Sequence, residues 1–518
     1  MENTKYPYYE VDKADNLKEL VELTAKKYGN NTAFCYEKAG QTVNISYLQF
    51  KTNVEALGTI LFDMGIRNTK VAVIGENSYA WILTYFAVVS SGNVIIPLDR
   101  ELPASDINNI LIDSGAEMLV YSPAYSSILI QIKEKNNITR QYVNMDSFPS
   151  MLENGRIMMT QGNTSVADYL VDNNALAALL YTSGTTGSAK GVMLSHKNLA
   201  SDAVAFCKNL SLKGDSLLVL PLHHSFTFTC CILSMLLEGN VIAINQGLNS
   251  LHKDLLKYKP RNVFMVPLLV ETFYKQIQVG LERNKGIETE SLIKSIFGDN
   301  LTTIACGGAP IDSKYVAGYR DLGIQLIEGY GTTECSPVIS VNRNKHYRDG
   351  SIGQVLPCCE VKIVEPDETG HGEICVKGDN VMIGYYKNEQ ATREVLDGEW
   401  LRTGDIGYLD EEGFLYISGR KKNLIILSNG KNVYPEELEF ALLKIPYIKE
   451  VVVYAENDLI VAEVLLDTEN YADCETMLDK DIMKFNLTQP SFKNIGKKVI
   501  RHTEFAKTTT KKIIRRHS

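Results

Sequence analysis

Residues 181–192 read Tyr181-Thr182-Ser183-Gly184-Thr185-Thr186-Gly187-Ser188-Ala189-Lys190-Gly191-Val192, and this stretch decides how the remainder is read. The apolar run Leu176 to Leu180 ahead of it has the texture of a buried strand, and Ser195 beyond it is a good N-cap for a helix. Strand, loose loop and helix make a natural seat for an anion. Glycines let backbone N–H groups approach phosphate oxygens. The hydroxyls of Thr182, Ser183, Thr185 and Thr186 donate to them, and Lys190 adds a positive charge. An ordinary Ser/Gly-rich surface loop has a similar composition. Three features favour phosphate: no acidic residue interrupts the run, a single lysine closes it, and the strand ahead is apolar. The P-loop pattern is excluded, because Lys190 is followed by Gly191.

Working outward, strand-like and helix-like segments alternate. Leu17, Leu20, Val21 and Leu23 fall at helical spacing before Gly29, and Ser46 opens a second helix carrying Phe50, Val54, Leu57 and Leu61. Val71 to Ile74, Val94 to Ile96, 118–121, 217–220, 241–244 and 263–266 read as strands, with a helix over 79–89. This alternation predicts an α/β fold with mainly parallel sheets and ligands near the carboxyl ends of the strands. From about residue 353 short strands and Gly/Asp turns predict a smaller β-rich unit. After Gly419-Arg420-Lys421-Lys422, a helix from Pro435, strands at 451–454 and 459–465 and a helix after Cys474 predict a compact α+β module.

At 518 residues the chain needs about three or four folding units. A net charge of −9 argues against general nucleic-acid binding. One local exception is the stretch from Lys493 onward, where nine Lys/Arg face Glu504 alone. It reads equally as a solvated tail or as a surface that meets phosphates. The ten cysteines form no C-x-x-C pair and the eight histidines show no metal-ligand spacing, which predicts reduced thiols. The first residues lack the apolar core of a signal peptide, and the apolar region 81–98 is broken by Ser90-Ser91-Gly92-Asn93. A cytoplasmic protein with no integral membrane association is expected.

Other groups bear chemistry. Glu328-Gly329-Tyr330-Gly331-Thr332-Thr333-Glu334 follows the strand-like Ile324 to Ile327. Such a turn exposes a tyrosine ring for stacking while a carboxylate reaches a cation. Gly307-Gly308-Ala309-Pro310 allows close backbone approach, Thr403-Gly404-Asp405 offers a carboxylate to sugar hydroxyls, and Gly419-Arg420 adds a guanidinium; each is weak when taken singly. His223-His224 fits a pocket wall better than a metal site.

Taken in order, these segments resemble the adenylate-forming superfamily of acyl- and aryl-CoA synthetases, peptide adenylation domains and beetle luciferases. Pro97-Leu98-Asp99, Tyr181 to Gly191, Pro221 to Phe226, Gly307 to Pro310, Gly329 to Glu334, Trp400 to Asp405, Gly419 to Glu439 and Phe505 to Ile513 keep the family's order over nearly the whole chain. The resemblance implies a large N-terminal domain (1–420) of two parallel-sheet subdomains plus a β-rich subdomain. A small mobile α+β C-terminal domain (421–518) would close over it about a hinge at Lys422.

By the same likeness, Thr182, Ser183, Gly184, Thr185, Thr186, Gly187 and Lys190 would handle the β- and γ-phosphates of ATP. Gly307, Gly308 and Ala309 would flank adenine, with Glu328, Gly329, Tyr330 and Gly331 completing that wall. Thr332 would touch the α-phosphate, Glu334 would hold Mg²⁺, and Asp405 and Arg420 the ribose. Lys512 would reach the carboxylate and α-phosphate, and His224, Ser225 and Phe226 would line the acid pocket. The terminal motif departs from the usual P-K-T-x-x-G-K: Ala506 stands for Pro and Lys511 for Gly, while Lys507, Thr508, Lys512 and Ile513 match. Ile426 and Asn429 stand where relatives carry Lys and Gly.

An amino-acid substrate is disfavoured because His223-His224-Ser225-Phe226 holds no acid to pair an ammonium. Phe226, Phe228, Phe264 and the run Val263 to Leu269 favour an apolar acid, most similar to the fatty acids of bacterial acyl-CoA synthetases. An aryl acid stays open. The expected reaction makes acyl-AMP and pyrophosphate, then transfers the acyl group to CoA. The alternatives are loading of an acyl carrier protein, or a non-catalytic nucleotide-binding module.

Overall fold

The computed structural model describes residues 6–135, 140–182, 189–283, 286, 288–428, 431–457, 459–507 and 513–515. The chain divides into two compact units, Met1–Glu360 with Val376–Leu401, and Val361–Cys375 with Arg402–Ser518.

The first unit is built on two sheets with helices on their faces. In the larger, strands Gln325–Gly331, Thr303–Cys306, Asn262–Met265, Ser216–Leu218, Ile242–Ile244 and Thr32–Lys38 run parallel. Their central residues, such as Phe34, Leu217, Ala243, Phe264, Ile304 and Leu326, are apolar and buried, as two-sided burial requires. In the second, Leu176–Thr182, Val94–Pro97, Lys70–Ile74, Met118–Tyr121 and Gln141–Asn144 are parallel. The expected helix caps at Ser46 and Ser195 form, and a third forms at Asn16. Asn16 caps Leu17–Tyr28, Ser46 and Gln49 make a capping box on Tyr47–Asp63, and Ser195 with Asn198 does so on His196–Asn209.

One expectation fails at the loop itself. The chain beyond it does not pass directly into a helix: Lys190–Ser195 is a strand, antiparallel to Leu176–Thr182. The register puts Thr182 opposite Lys190 and Leu176 opposite Ser195, so the helix after Ser195 begins at the far end of the hairpin. Its N-terminal dipole does not serve the loop. The physical cause is Val192 and Leu194, whose burial forces their backbone groups to pair, and the strand just completed supplies the partners.

The second unit holds a three-stranded sheet, Ile448–Glu456, Leu459–Leu466 and Ile495–Arg501, with helices Pro435–Leu442 and Cys474–Leu487. Val433, Leu438, Leu442, Val453, Ala462, Val464 and Leu478 form its core. Short strands Cys359–Val364, Gly372–Gly378, Trp400–Leu409 and Leu415–Arg420 supply the β-rich character expected beyond residue 353. The ten cysteines are free, and eight of them are buried. Among the described residues no helix is long and apolar enough to cross a membrane.

Candidate active site

The hairpin opposition of Thr182 and Lys190 frames the mouth of the expected phosphate loop. Ser183, Gly184, Thr185, Thr186 and Gly187 lie outside the described residues. A two-residue strand, Gly384–Tyr385, adds to the hairpin's outer edge, with Tyr385 opposite Val192 and the Tyr386 N–H donating to Gly191 O (2.7 Å). This brings the Lys190 ammonium to 5.0 Å from the centre of the Tyr385 ring. The Tyr385 hydroxyl in turn donates to Glu334 Oε1 at 2.8 Å. Burial and the Glu334 carboxylate push the phenol's pKa up, so it is a fixed donor. Sequence reasoning missed Tyr385. Nothing in Ile383-Gly384-Tyr385-Tyr386 separates it from an ordinary edge-strand aromatic, and only sheet pairing brings it to Lys190.

Glu334 stands on a tight turn. Strand Gln325–Gly331 pairs antiparallel with Val338–Val341, and the Thr332 N–H closes the hairpin on Pro337 O (2.9 Å). A Cβ at position 331 would fall 1.8 Å from Pro337 O, so only glycine permits this closure. Thr332 Oγ1 is buried beside the Cys335 thiol, with no hydrogen bond to an oxygen or nitrogen among the described residues. A hydroxyl left open in this way suits an incoming oxyanion.

Glu328, on the same strand, is 9% exposed, and its Oε2 is buried with no hydrogen-bond partner among the described residues. Burial, and secondarily Asp349, raise its pKa from 4.5 to about 8. The folded protein therefore keeps this proton where the unfolded chain loses it, so stability falls as pH rises from about 4.5 through about 8. Glu328→Gln, locked in the neutral form, is expected to be more stable above pH 8 by on the order of a few kcal/mol and little changed below pH 4.5. Denaturant midpoints at the two ends of that window check this; an unaltered pH slope contradicts it.

The expected acid-pocket segment reaches the same place. Asn77 pins it, donating to Leu220 O (2.9 Å) and accepting from Leu222 N–H (3.1 Å). Phe226 packs edge-on to Phe264 at 6.1 Å, and its ring lies 3.3 Å from where a Cβ on Gly307 would stand. Ser225 Oγ sits 3.4 Å from Thr333 Oγ1. Behind them Tyr85 and Phe228 stack at 3.6 Å, and Thr227–Leu233 is wound as a π-helix, a form frequent at functional sites. Gly307 is buried just past strand Thr303–Cys306, while Gly308 and Ala309 are exposed beyond it. Gly329 pairs with Val341 and Tyr330, half-buried, with Ser340.

His223 Nε2 is 3.4 Å from Asp99, from the Pro97-Leu98-Asp99 segment. Burial, and then the neighbouring His224, lower the His223 pKa to about 3, so it is neutral and forms no ion pair. The absence of an acid from 223–226 thus does not leave this wall without one. Asp99 supplies a carboxylate from a remote stretch.

The second unit carries the expected ribose pair. Asp405 and Arg420 face each other across antiparallel strands, with Nε to Oδ1 at 2.8 Å. Asp405 is 3% exposed, whereas the Arg420 side chain is 45% exposed. The two readings of the basic C-terminal stretch can now be weighed for six of its cations, because each is already paired. Lys493 meets Glu437, Lys497 Glu456, Lys498 Asp479, Arg501 Glu463, Lys507 Glu450 and Glu504, and Arg515 Glu439 and Glu436. For these six, the reading as a solvated surface gains weight. Lys511, Lys512, Arg516 and the loop residue Asn429 lie outside the described residues.

The chain has counterparts among known proteins in sequence and in fold. The AMP-binding enzyme family matches residues 21–386, and its C-terminal domain matches 422–518. This chain belongs to the AMP-binding enzyme family. It is an AMP-forming acid–thiol ligase of the adenylate-forming superfamily. It is 31% identical over 488 residues to a long-chain-fatty-acid–CoA ligase of Salmonella typhimurium, covering 85% of this chain and 83% of that one. It is 28% identical over 426 residues to a feruloyl-CoA synthase of an Amycolatopsis species, covering 80% and 81%. In fold, it is similar to an anthranilate CoA ligase solved with anthranoyl-AMP, with a TM-score of 0.80 at 20% identity over 99% and 97% of the two chains.

Proposed function

We propose that this AMP-binding enzyme activates an apolar carboxylic acid, a fatty acid before others, to acyl-AMP and passes the acyl group to CoA. The observation that carries the reading is the grouping of Lys190, Tyr385 and Glu334 at the mouth of the 181–191 hairpin. It puts a cation and a carboxylate where a nucleotide's phosphates and their counter-ion would meet.

The residue roles follow from charge. A carboxylate oxygen attacks the α-phosphorus, the new O–P bond forms, and the bond to the bridging oxygen breaks as pyrophosphate leaves. The nucleophile is already ionised near neutral pH, so no general base is needed. What is needed is compensation for anion meeting anion, and positioning. Lys190 and the hydroxyls of 182–186 would take the β- and γ-phosphates, and Thr332 Oγ1 the α-phosphate. Gly307 to Ala309, Glu328 and Tyr330 would enclose adenine, and Asp405 and Arg420 would hold the ribose. Lys512 would provide the final cation.

Mg²⁺ fits the donors present. Glu334 offers one hard carboxylate oxygen beyond the one engaged by Tyr385, and magnesium is commonly held by one or two carboxylates together with substrate phosphates. When bound, it would neutralise phosphate charge. In the second half-reaction the thiol attacks the acyl carbon and AMP leaves.

The apolar preference rests on Phe226, Phe264 and the Tyr85–Phe228 stack, together with the likeness to a long-chain-fatty-acid–CoA ligase. An aryl acid is the second reading, favoured by the likeness to a feruloyl-CoA synthase. We also propose a boundary at 420/421 with a hinge at Lys422; the match of the C-terminal family domain from 422 supports it. To fix the acceptor, CoA and a holo acyl carrier protein are compared in thioester formation. Product with CoA is expected, and product with the carrier protein alone rejects CoA as acceptor. Absence of acid-dependent pyrophosphate release would reject catalysis and leave a nucleotide-binding module.

A further inference from the structure

We infer that Tyr385 is a positioning residue shared by the two charges that handle the triphosphate. Its hydroxyl fixes the Glu334 carboxylate, and its ring face fixes the Lys190 ammonium. The inference rests on the reading of Glu334 as the magnesium carboxylate and Lys190 as a phosphate ligand.

Tyr385 is built in rather than draped on. It is 8% exposed, paired across the sheet with Val192, and held from behind by its own N–H donating to Thr392 Oγ1 at 2.9 Å. The Met382 N–H binds Glu334 O at 2.8 Å, which fastens the segment ahead of the tyrosine to the turn that bears the carboxylate. Lys190, Val192 and Tyr385 thus belong to adjoining strands, whereas Glu334 comes from the other sheet's hairpin. The phenol is the side-chain bond that joins them.

Glu334 Oε1 takes the phenol, and among the described residues Oε2 takes no hydrogen bond. A carboxylate with one oxygen tied and the other open is oriented for a metal by its outer neighbour, as the partners of metal ligands generally do. Among the described residues no carboxylate pairs with Lys190; the aromatic face is what holds it. A ring face attracts an ammonium without neutralising it, so its charge stays available to phosphate. A glutamate in place of this tyrosine would cancel that charge.

The test uses the full chain and equilibrium binding of fluorescent ATP and AMP analogues, with no acid present and therefore no turnover. Tyr385→Phe keeps the ring and removes the hydroxyl. The Mg²⁺ concentration at the midpoint of ATP-analogue binding is expected to rise roughly ten-fold, with AMP-analogue binding unchanged within about two-fold. Tyr385→Leu also removes the ring face, and is expected to weaken ATP-analogue binding about three-fold even without Mg²⁺. Glu334→Gln serves as the reference. If it raises the midpoint and Tyr385→Phe does not, the tyrosine's role is overturned. Equal loss of ATP and AMP analogues in Tyr385→Phe, with a lowered melting temperature, also overturns it, because a structural side chain behaves in that way. If Glu334→Gln leaves the midpoint unmoved, the metal assignment under the proposed function is what fails.

Discussion

Lys512→Ala is expected to lower acid-dependent pyrophosphate release roughly a thousand-fold, while thioester formation from supplied acyl-adenylate stays within a few-fold of the parent. The asymmetry follows from where charge accumulates. In the first step a carboxylate approaches a triphosphate, and removing the cation proposed to serve the new bond forfeits stabilisation that water does not restore. In the second step a thiol attacks a neutral acyl carbon and AMP leaves, so that cation has no comparable task. The adjacent Lys511 is the necessary control. Ile513, directly after Lys512, bridges Lys507, and the Ile514 N–H donates to Ala506 O at 2.8 Å. Arg515 is clasped by Glu439, and Lys507 by Glu450 and Glu504. The likeness to the terminal lysine motif puts Lys512, not Lys511, in the position expected to act. Lys511→Ala should therefore cost less than about ten-fold. Loss concentrated at Lys511 instead would show the motif register to be shifted by one.

Gly331→Ala is the second large effect, and it acts on folding. The added methyl would stand 1.8 Å from Pro337 O and 2.7 Å from the Pro337 carbonyl carbon, both backbone atoms with no side-chain torsion to turn away. The hairpin must open, and the Thr332 N–H to Pro337 O bond is the contact nearest to the damage. A cost of roughly 3 kcal/mol or more is expected from overpacking at a rigid backbone contact, read as a fall in the denaturant midpoint. Because Thr332 and Glu334 sit on the opened turn, pyrophosphate release should fall as well, even at temperatures where the protein stays folded. A midpoint within about 0.5 kcal/mol of the parent would contradict the geometry.

Much of the architecture was legible because it depends on local pattern. Ser46 and Ser195 cap helices by bonding backbone groups a few residues away, and Val71 to Ile74 or Val263 to Met265 declare buried strands by their unbroken apolar character. The strand Lys190–Ser195 was missed because a helix cap at its end outweighed a short apolar run in the middle. What made it a strand was the pairing edge next to it.

The site was legible to the extent that its parts are contiguous. The Glu328 to Glu334 turn can be read from its own letters. Tyr385 cannot, since Lys190 and Glu334 are brought to it by two different sheets. Asp99 beside His223 is the same kind of fact: composition of 223–226 speaks only for the residues it contains, and a carboxylate arrived from a segment more than a hundred residues earlier. The basic C-terminal stretch shows the converse. Charge along the sequence looked uncompensated, but the compensating acids, Glu437, Glu439, Glu450, Glu456, Glu463 and Asp479, come from elements that precede it.

Isotope exchange between pyrophosphate and ATP, run without CoA against a panel of fatty, aryl and amino acids, tests the central claim most directly. Exchange that requires both Mg²⁺ and an acid, strongest with fatty acids, is the predicted result. No exchange with any acid, or exchange driven by amino acids alone, would contradict it.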